Sequence, residues 1–184
     1  MTTTIRSTLC ALLLCLAAPA FAANGDYTIE VVIFAQNSYG AGAQPFSAGD
    51  PNAVRPATAN ARYISGYNGA PYSQLEALPG SSLVLGDDAA RLRSQGYAIL
   101  WHGGWFQNVS TGSNPAIRIN TGDGRVDGTI RVDRSRYLHF KPDLLLTRGG
   151  TQYQLKQSRR MRSKELHYLD HPLFGILVYA RPVD

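Results

Sequence analysis

Cysteine is almost absent from this chain of 184 residues. The two that occur, Cys10 and Cys15, both lie near the amino terminus in an apolar stretch. The rest of the sequence therefore has no disulfide, no thiolate ligand for a metal and no cysteine nucleophile. An oxidising compartment favours chains whose cysteines are either paired or missing, and this chain fits the second pattern.

Long apolar runs are also lacking. The one apolar run, residues 9–18, is shorter than the ~20 residues that a bilayer-spanning helix needs, so we expect no membrane span. It follows the basic Arg6 and precedes the small-residue sequence Ala-Phe-Ala that ends at Ala22. This order is typical of a cleavable signal peptide. Residues 1–22 are therefore predicted to direct export to the periplasm and to be removed.

Lysine is scarce, because Lys141, Lys156 and Lys164 are the only lysines among 18 cationic residues. Twelve of the 18 lie in residues 118–164 beside only four aspartates, and we call this segment the basic belt. A guanidinium group binds carboxylate or phosphate through two parallel hydrogen bonds and stacks on aromatic rings. The belt predicts an anionic partner, and export argues against nucleic acid. A solvated, charged sheet face is the alternative.

Catalytic and nucleotide-binding motifs are missing as well. The chain contains neither Gly-x-Ser-x-Gly nor a phosphate loop ending in Gly-Lys-Ser/Thr. His167 and His171 share one side of a predicted strand but lie ~13 Å apart at strand rise, too far for one metal ion. A metal site is therefore not the favoured interpretation of this cluster. The favoured one is structural: Asp170 caps a turn and His171 is held before a proline. We expect no metal site, no cofactor and no enzymatic activity, although Glu165 and Asp170 leave a small hydrolase open.

The hydrophobic pattern predicts a single α+β domain in residues 23–184. Residues 27–35 alternate as a strand, and residues 87–95 read as a helix that ends at Gly96. Further strands are predicted at residues 97–107, 116–120, 125–132, 137–147, 152–161, 165–168 and 175–181, with Pro142 at a bulge or an edge. Residues 36–80 are rich in Gly, Ala, Pro, Asn and Ser and are expected to form a long irregular connection.

The expected architecture is an antiparallel, twisted sheet with one or two helices on one face. The optional second helix would lie near residues 73–78. The first strand, the helix and the second strand could form half of a ferredoxin-like unit. In that arrangement the last strand pairs beside the first, and the β-meander 116–161 extends the sheet.

Three segments together resemble the CsiV family of periplasmic peptidoglycan-binding proteins in Gram-negative bacteria. They are residues 27–34 (YTIEVVIF), residues 96–107 (GYAILWHGGWFQ) and residues 158–178 (SRRMRSKELHYLDHPLFGILV), the last aided by residues 136–139 (RYLH). The resemblance implies a periplasmic, non-catalytic protein that binds peptidoglycan and supports cell-wall assembly and cell shape. It further implies an outer-membrane lipoprotein activator of a class A penicillin-binding protein as a partner.

The resemblance does not define ligand-contacting residues, so the candidate binding residues come from side-chain chemistry. Arginine and aromatic groups suit a carbohydrate polymer that bears carboxylates. The first choices are Arg159, Arg160, Arg162, His167, Tyr168, Asp170 and His171, and the second choices are Trp101, His102 and Trp105. Core packing is the alternative role for the tryptophans. Two other functions stay open: an adaptor whose Arg-rich strand docks an acidic protein, and a cell-wall hydrolase that uses Glu165, Asp170 and His171.

Overall fold

A computed structural model describes residues 25–36, 42–47, 53–64 and 75–183 of the chain. The signal peptide predicted at residues 1–22 lies outside these residues. The elements in chain order are β1 (Asp26–Ala35), a 3-10 turn (Gly80–Ser82), α1 (Gly86–Ser94), β2 (Ala98–Asn108), β3 (Ile117–Asn120), β4 (Val126–Arg134), β5 (Leu138–Arg148), β6 (Thr151–Lys156), β7 (Arg159–Met161), β8 (Leu166–His171) and β9 (Phe174–Pro182). The α+β class predicted from the sequence is confirmed.

The first sheet has the strand order β2-β1-β9-β8, and every neighbouring pair is antiparallel. The last strand, β9, pairs beside β1, as the sequence predicted. A ferredoxin-like unit would instead need β1 and β2 to run parallel with another strand between them. Here β2 lies directly against β1 in the opposite direction, so the ferredoxin-like option is not the arrangement that the chain adopts.

The second sheet is a meander in the order β3-β4-β5-β6. The short strand β7 pairs with the first part of β5, and β6 pairs with the last part, so the two follow one another along the same edge. The break between them lies opposite Pro142, whose carbonyl oxygen accepts the N–H of Gln157 at 3.2 Å. Proline has no N–H to give a neighbouring strand, so the ladder is interrupted there. Pro142 was predicted at a bulge or an edge, and it lies at this interruption of the ladder while its pairing with β4 continues without a register shift.

The two sheets share one hydrophobic core. Inward-facing residues of both belong to the same cluster, among them Ile29 and Trp105 of the first sheet and Ile130, Phe140 and Leu144 of the second. The sequence predicted one extended sheet, whereas the meander forms a sheet of its own that packs on the first. The physical reason is that alternate meander residues are apolar and need an apolar face to cover them.

A single α-helix covers the opposite face of the first sheet. Leu85 and Ala89 pack there against Val32 of β1 in a smaller apolar cluster. Asp87 and Asp88 lie in the first turn of α1, which is where acidic groups interact favourably with the helix dipole. The helix ends before Gly96, which has a φ of 89°. The predicted helix is confirmed to within one residue at each end.

The described parts of residues 36–80 lie along sheet edges. The N–H of Phe46 donates to Gln152 O of β6 at 2.6 Å, and that of Arg62 to Ala116 O beside β3 at 2.8 Å. The N–H of Leu78 donates to Gly104 O of β2 at 2.9 Å. Residues 75–78 are therefore extended instead of helical, and residues 73–74 lie outside the described part. These contacts cover edges that would otherwise be open to pairing with another chain.

Gly128 is expected to be irreplaceable in β4. A Cβ there would meet Asp143 O and would lie 2.9 Å from Leu144 Cα, at a φ of 152°. We expect Gly128→Ala to lower the free energy of unfolding by about 2–4 kcal/mol, measured by urea denaturation. Gly124 is the control, because its φ is 71° but nothing lies within 4 Å. Gly124→Ala should cost only about 1 kcal/mol. Equal losses in the two variants would contradict this account.

Candidate functional site

The basic belt divides into paired and unpaired cations. Its four aspartates are all engaged with cations of the belt. The ion pairs are Arg118–Asp127, Arg125–Asp123, Arg131–Asp133, Lys141–Asp133 and Lys156–Asp143. These pairs neutralise much of the second sheet's outer face. The charge that remains in excess therefore lies elsewhere in the belt.

Unpaired arginines gather at one end of the two sheets. In the described part of the chain, Arg134, Arg136 and Arg160 are among the belt arginines that form no ion pair with a carboxylate, as is Arg159. Arg134 and Arg136 line a cleft of about 170 Å³ with Arg162, Tyr27, Tyr137, Leu138, Met161 and Ser163. We call it the basic cleft. It opens where β1 begins and where β4 and β7 end, so residues distant in sequence meet there.

Tyrosine rings hold the guanidinium groups of the basic cleft. Arg160 Cζ lies 4.9 Å from the centroid of the Tyr137 ring, and Arg136 Cζ lies 5.6 Å from it. Arg134 Cζ lies 5.8 Å from the centroid of the Tyr27 ring. A guanidinium group over a ring keeps its N–H groups free for a planar acceptor such as a carboxylate. The cleft therefore offers several oriented donors and little opposing negative charge.

The strands fix these positions. Arg134 follows Ile130 and Val132 on the core-facing side of β4, so it extends from the core into the opening between the sheets. Arg160 lies opposite His139 in the β5–β7 ladder, and this register brings it next to Tyr137. Arg162 follows β7 and pairs with Glu165, with Nη1 and Oε1 3.6 Å apart.

The structure brings together only part of the predicted first-choice set. Arg162 lines the basic cleft and Arg160 stacks on its wall, whereas Arg159 is exposed on β7 and is not among the residues that line it. Sequence reasoning missed Arg134, Arg136, Tyr137 and Tyr27 as site residues. Arg136 and Tyr137 begin the RYLH segment that carries the family resemblance, and this was the one signal pointing to them.

Tyr168 and Asp170 form a separate cluster on the outer face of β8. The Tyr168 hydroxyl donates to Asp170 Oδ1 at 2.5 Å, and Gln36 Nε2 donates to the same Oδ1 at 2.6 Å. The Tyr168 ring stacks on Phe34 with centroids 6.2 Å apart, in space left by the missing side chain of Gly175. Partial burial and the neighbouring Asp170 carboxylate raise the pKa of Tyr168. The cluster ties β8 to the end of β1.

The two C-terminal histidines stabilise the chain around β8. They share the inward side of the strand, as predicted, while Asp170 faces outward. His167 Nε2 accepts the N–H of Arg162 at 3.2 Å, and His171 Nδ1 accepts the N–H of Leu173 at 3.2 Å. Burial lowers the pKa of His171. Asp170 and His171 thus point to opposite faces, and in the described part of the chain no group of three or more His, Cys, Asp or Glu could hold a metal ion.

The prediction that Trp101, His102 and Trp105 contact a ligand requires a correction. Trp101 and Trp105 are buried in the shared core, so their rings are not available to stack on a ligand at the surface. His102 Nε2 lies 2.8 Å from Glu30 Oε1, in the layer between the first sheet and α1. Core packing, the alternative for the tryptophans, is what the structure supports. The strand pattern could not reveal it because the first sheet is covered on both faces.

Glu30 is a buried carboxylate that anchors α1. It accepts the N–H groups of Val84 and Leu85 at 2.7 and 2.9 Å, at the amino-terminal end of the helix. Burial alone would raise its pKa, but the hydrogen bonds from His102, Val84 and Leu85 outweigh it and hold the pKa of Glu30 below its usual range. The carboxylate stays charged because its acceptor sites are filled.

These features define a class: an α+β protein of two facing antiparallel sheets that carries a cleft suited to anionic ligands. The family model described as peptidoglycan-binding protein, CsiV, matches residues 7–183, nearly the whole chain. The chain belongs to the CsiV family. Comparison with curated proteins and with solved structures gives no match. Family membership implies a location in the cell envelope, and no helix in the described residues is long and apolar enough to cross a membrane.

Acid should destabilise the protein through Glu30. A carboxyl whose pKa is lowered by folding stabilises the fold above its unfolded pKa, and that stability is lost as the pH falls towards the folded pKa. We expect the free energy of unfolding to decrease as the pH drops below about 4.5, which is the ordinary pKa of this group. Glu30→Gln should lower stability by about 1–3 kcal/mol at pH 7 and flatten this pH dependence.

Denaturant titrations at several pH values measure the effect of Glu30→Gln. Glu76→Gln is the control, because Glu76 is an exposed carboxyl outside this network. It should leave both the stability at pH 7 and the slope near wild type. An unchanged slope in Glu30→Gln would show that other carboxyls govern the acid response.

Proposed function

We propose that this protein is a non-catalytic periplasmic peptidoglycan-binding protein that supports cell-wall assembly and binds its ligand in the basic cleft. Residues 1–22 would export it. The unpaired arginines beside tyrosine rings carry the proposal for the site, and membership in the CsiV family supports the ligand.

The chemistry of the basic cleft suits the peptide part of peptidoglycan. Its stem peptides bear carboxylates, and a guanidinium fork binds a carboxylate with two charge-assisted hydrogen bonds. The half-buried ring of Tyr137 adds flat apolar surface against which a sugar or a methyl group can pack, whereas the buried ring of Tyr27 supports Arg134 from the core side. Arginine is better suited than lysine to this task because its donors are planar and fixed. The scarcity of lysine in the chain agrees with such a role.

Arg162 can join the other cleft arginines when a ligand arrives. Among the described residues its carboxylate partner is Glu165, at 3.6 Å, and both side chains are largely exposed. Exposed pairs of this kind contribute about 0–1 kcal/mol, so exchanging Glu165 for a ligand carboxylate costs little. The cleft then presents Arg134, Arg136 and Arg162 to one ligand, and Arg160 stacks on the Tyr137 ring of its wall.

A protein–protein adaptor is the second candidate. Leu166 and Tyr168 lie two residues apart on the outer face of β8 and are 47% and 44% exposed, so two large apolar side chains are exposed side by side there. They offer a docking surface separate from the basic cleft. The partner class would be the outer-membrane lipoprotein activator of a class A penicillin-binding protein that the family resemblance implies.

Removing Arg134, Arg136 and Arg160 should weaken binding to the cell wall. We expect the triple variant with Arg134→Ala, Arg136→Ala and Arg160→Ala to bind purified sacculi at least about tenfold more weakly than wild type in sedimentation assays, since each lost charge-assisted contact is worth about 1.5–3 kcal/mol. The matched control is the triple variant with Arg91→Ala, Arg93→Ala and Arg125→Ala, which loses the same charge from exposed positions elsewhere. It should sediment nearly as wild type does.

Equal loss in the two triple variants would mean that net charge alone drives the association, and equal retention would remove the basic cleft as the site. Crosslinking in periplasmic extract addresses the adaptor role. A crosslinked protein that persists after the glycan is digested, and that disappears on Leu166→Ser, supports the adaptor function. Loss of every crosslink on digestion argues for binding through the glycan peptide instead.

A further inference from the structure

A larger groove lies on the outer face of the second sheet. It has a volume of about 490 Å³, within the ~300–1,000 Å³ range typical of small-molecule sites. One wall is formed by Ala57 of the long connection, and the Gln154 Nε2 bond to Val54 O at 2.8 Å fixes this stretch on β6. We call this space the outer groove. None of the residues that line it lines the basic cleft.

Three cations and two carboxylates set the charge of the outer groove. Arg131 and Lys141 contact Asp133 at 3.2 and 2.7 Å, and Lys156 contacts Asp143 at 3.6 Å. The Asp133 side chain is only 10% exposed, whereas those of Arg131 and Lys141 are 42% and 35% exposed. The carboxylate therefore holds the two cations from beneath while their donors still reach solvent. The five groups together keep an excess of one positive charge.

The remaining walls of the outer groove are apolar and small. Ala57, Ala116 and Pro142 line it beside the three cations. Methyl and ring-methylene surfaces of this size leave room for a methyl side chain on a ligand and gain from its burial. Gln157 and Ser158 also line the groove, at the interruption between β6 and β7. Gln157 N–H donates to Pro142 O at 3.2 Å, which holds this end of the groove against β5.

We propose that the outer groove binds the free carboxylate end of a short peptide with methyl side chains. One excess positive charge matches one terminal carboxylate, and the alanine and proline walls match small side chains. The inference rests on the proposed function. The stem peptides of peptidoglycan end in D-alanine, which has the methyl side chain and the terminal carboxylate that the groove would bind. It adds a second site to the protein: the basic cleft binds along the polymer, and the outer groove binds a peptide terminus.

Calorimetry with N-acetyl-D-alanyl-D-alanine tests the groove, and the C-terminal amide of the same dipeptide is the matched ligand without the charge. We expect the acid to bind and the amide to bind at least about tenfold more weakly, as the loss of a charge-assisted hydrogen bond implies. Ala57→Trp should abolish binding by filling the groove, since Ala57 is exposed and its replacement changes no charge. The double variant with Lys141→Ala and Lys156→Ala should weaken binding of the acid about tenfold or more.

The basic-cleft variant with Arg134→Ala, Arg136→Ala and Arg160→Ala separates the two sites. It should bind the dipeptide as wild type does while sedimenting with sacculi at least about tenfold more weakly, because the outer groove alone remains. Thermal unfolding of each variant shows that the fold is kept. Absence of dipeptide binding, equal binding of acid and amide, or full binding by Ala57→Trp would each overturn the outer groove, even where wild-type protein still sediments. Loss of dipeptide binding in the basic-cleft variant would overturn the separation into two sites.

Discussion

The double-sided burial of β1 is the constraint on which the other layers depend. Ile29, Val31 and Ile33 enter the core between the sheets, while Val32 lies under α1. Each such side chain gains about 1.5–3 kcal/mol on full burial, so this strand alone requires a cover on both faces. Glu30 is buried in the same strand and is compatible with it only because His102 and the helix amino terminus satisfy its oxygens.

This layering decides where the charge of the belt can lie. The helix occupies the outer face of the first sheet, and both inner faces are core, so belt residues reach water on the second sheet's outer face and at the sheet ends. On the outer face, aspartates such as Asp133 alternate with the cations and neutralise them. At the end of β4 Asp133 pairs with Arg131 and Lys141, whereas Arg134 lies on the other side of the strand and has no carboxylate partner among the described residues.

Local sequence patterns were enough to predict the strands and the helix, but not which face of a strand lies in the core. The strand at 27–35, the helix and its end at Gly96 all follow from residues close in sequence, and the structure agrees. The division into two sheets depends on contacts between distant strands, which no window of sequence contains. The sequence left Trp105 between ligand binding and core packing, because alternation in β2 cannot tell which of two covered faces is the core. The basic cleft was found only in part, because Tyr27 and Arg134 are brought together by the fold.

The arginines beside the basic cleft also bear on the stability of the fold. Like charges held near one another repel, and this repulsion lowers the stability of the folded state. Arg134, Arg136 and Arg160 are held beside one cleft by tyrosine rings, with no carboxylate paired to them in the described structure. An anion bound there, as proposed above, would therefore relieve this repulsion as well as making contacts of its own.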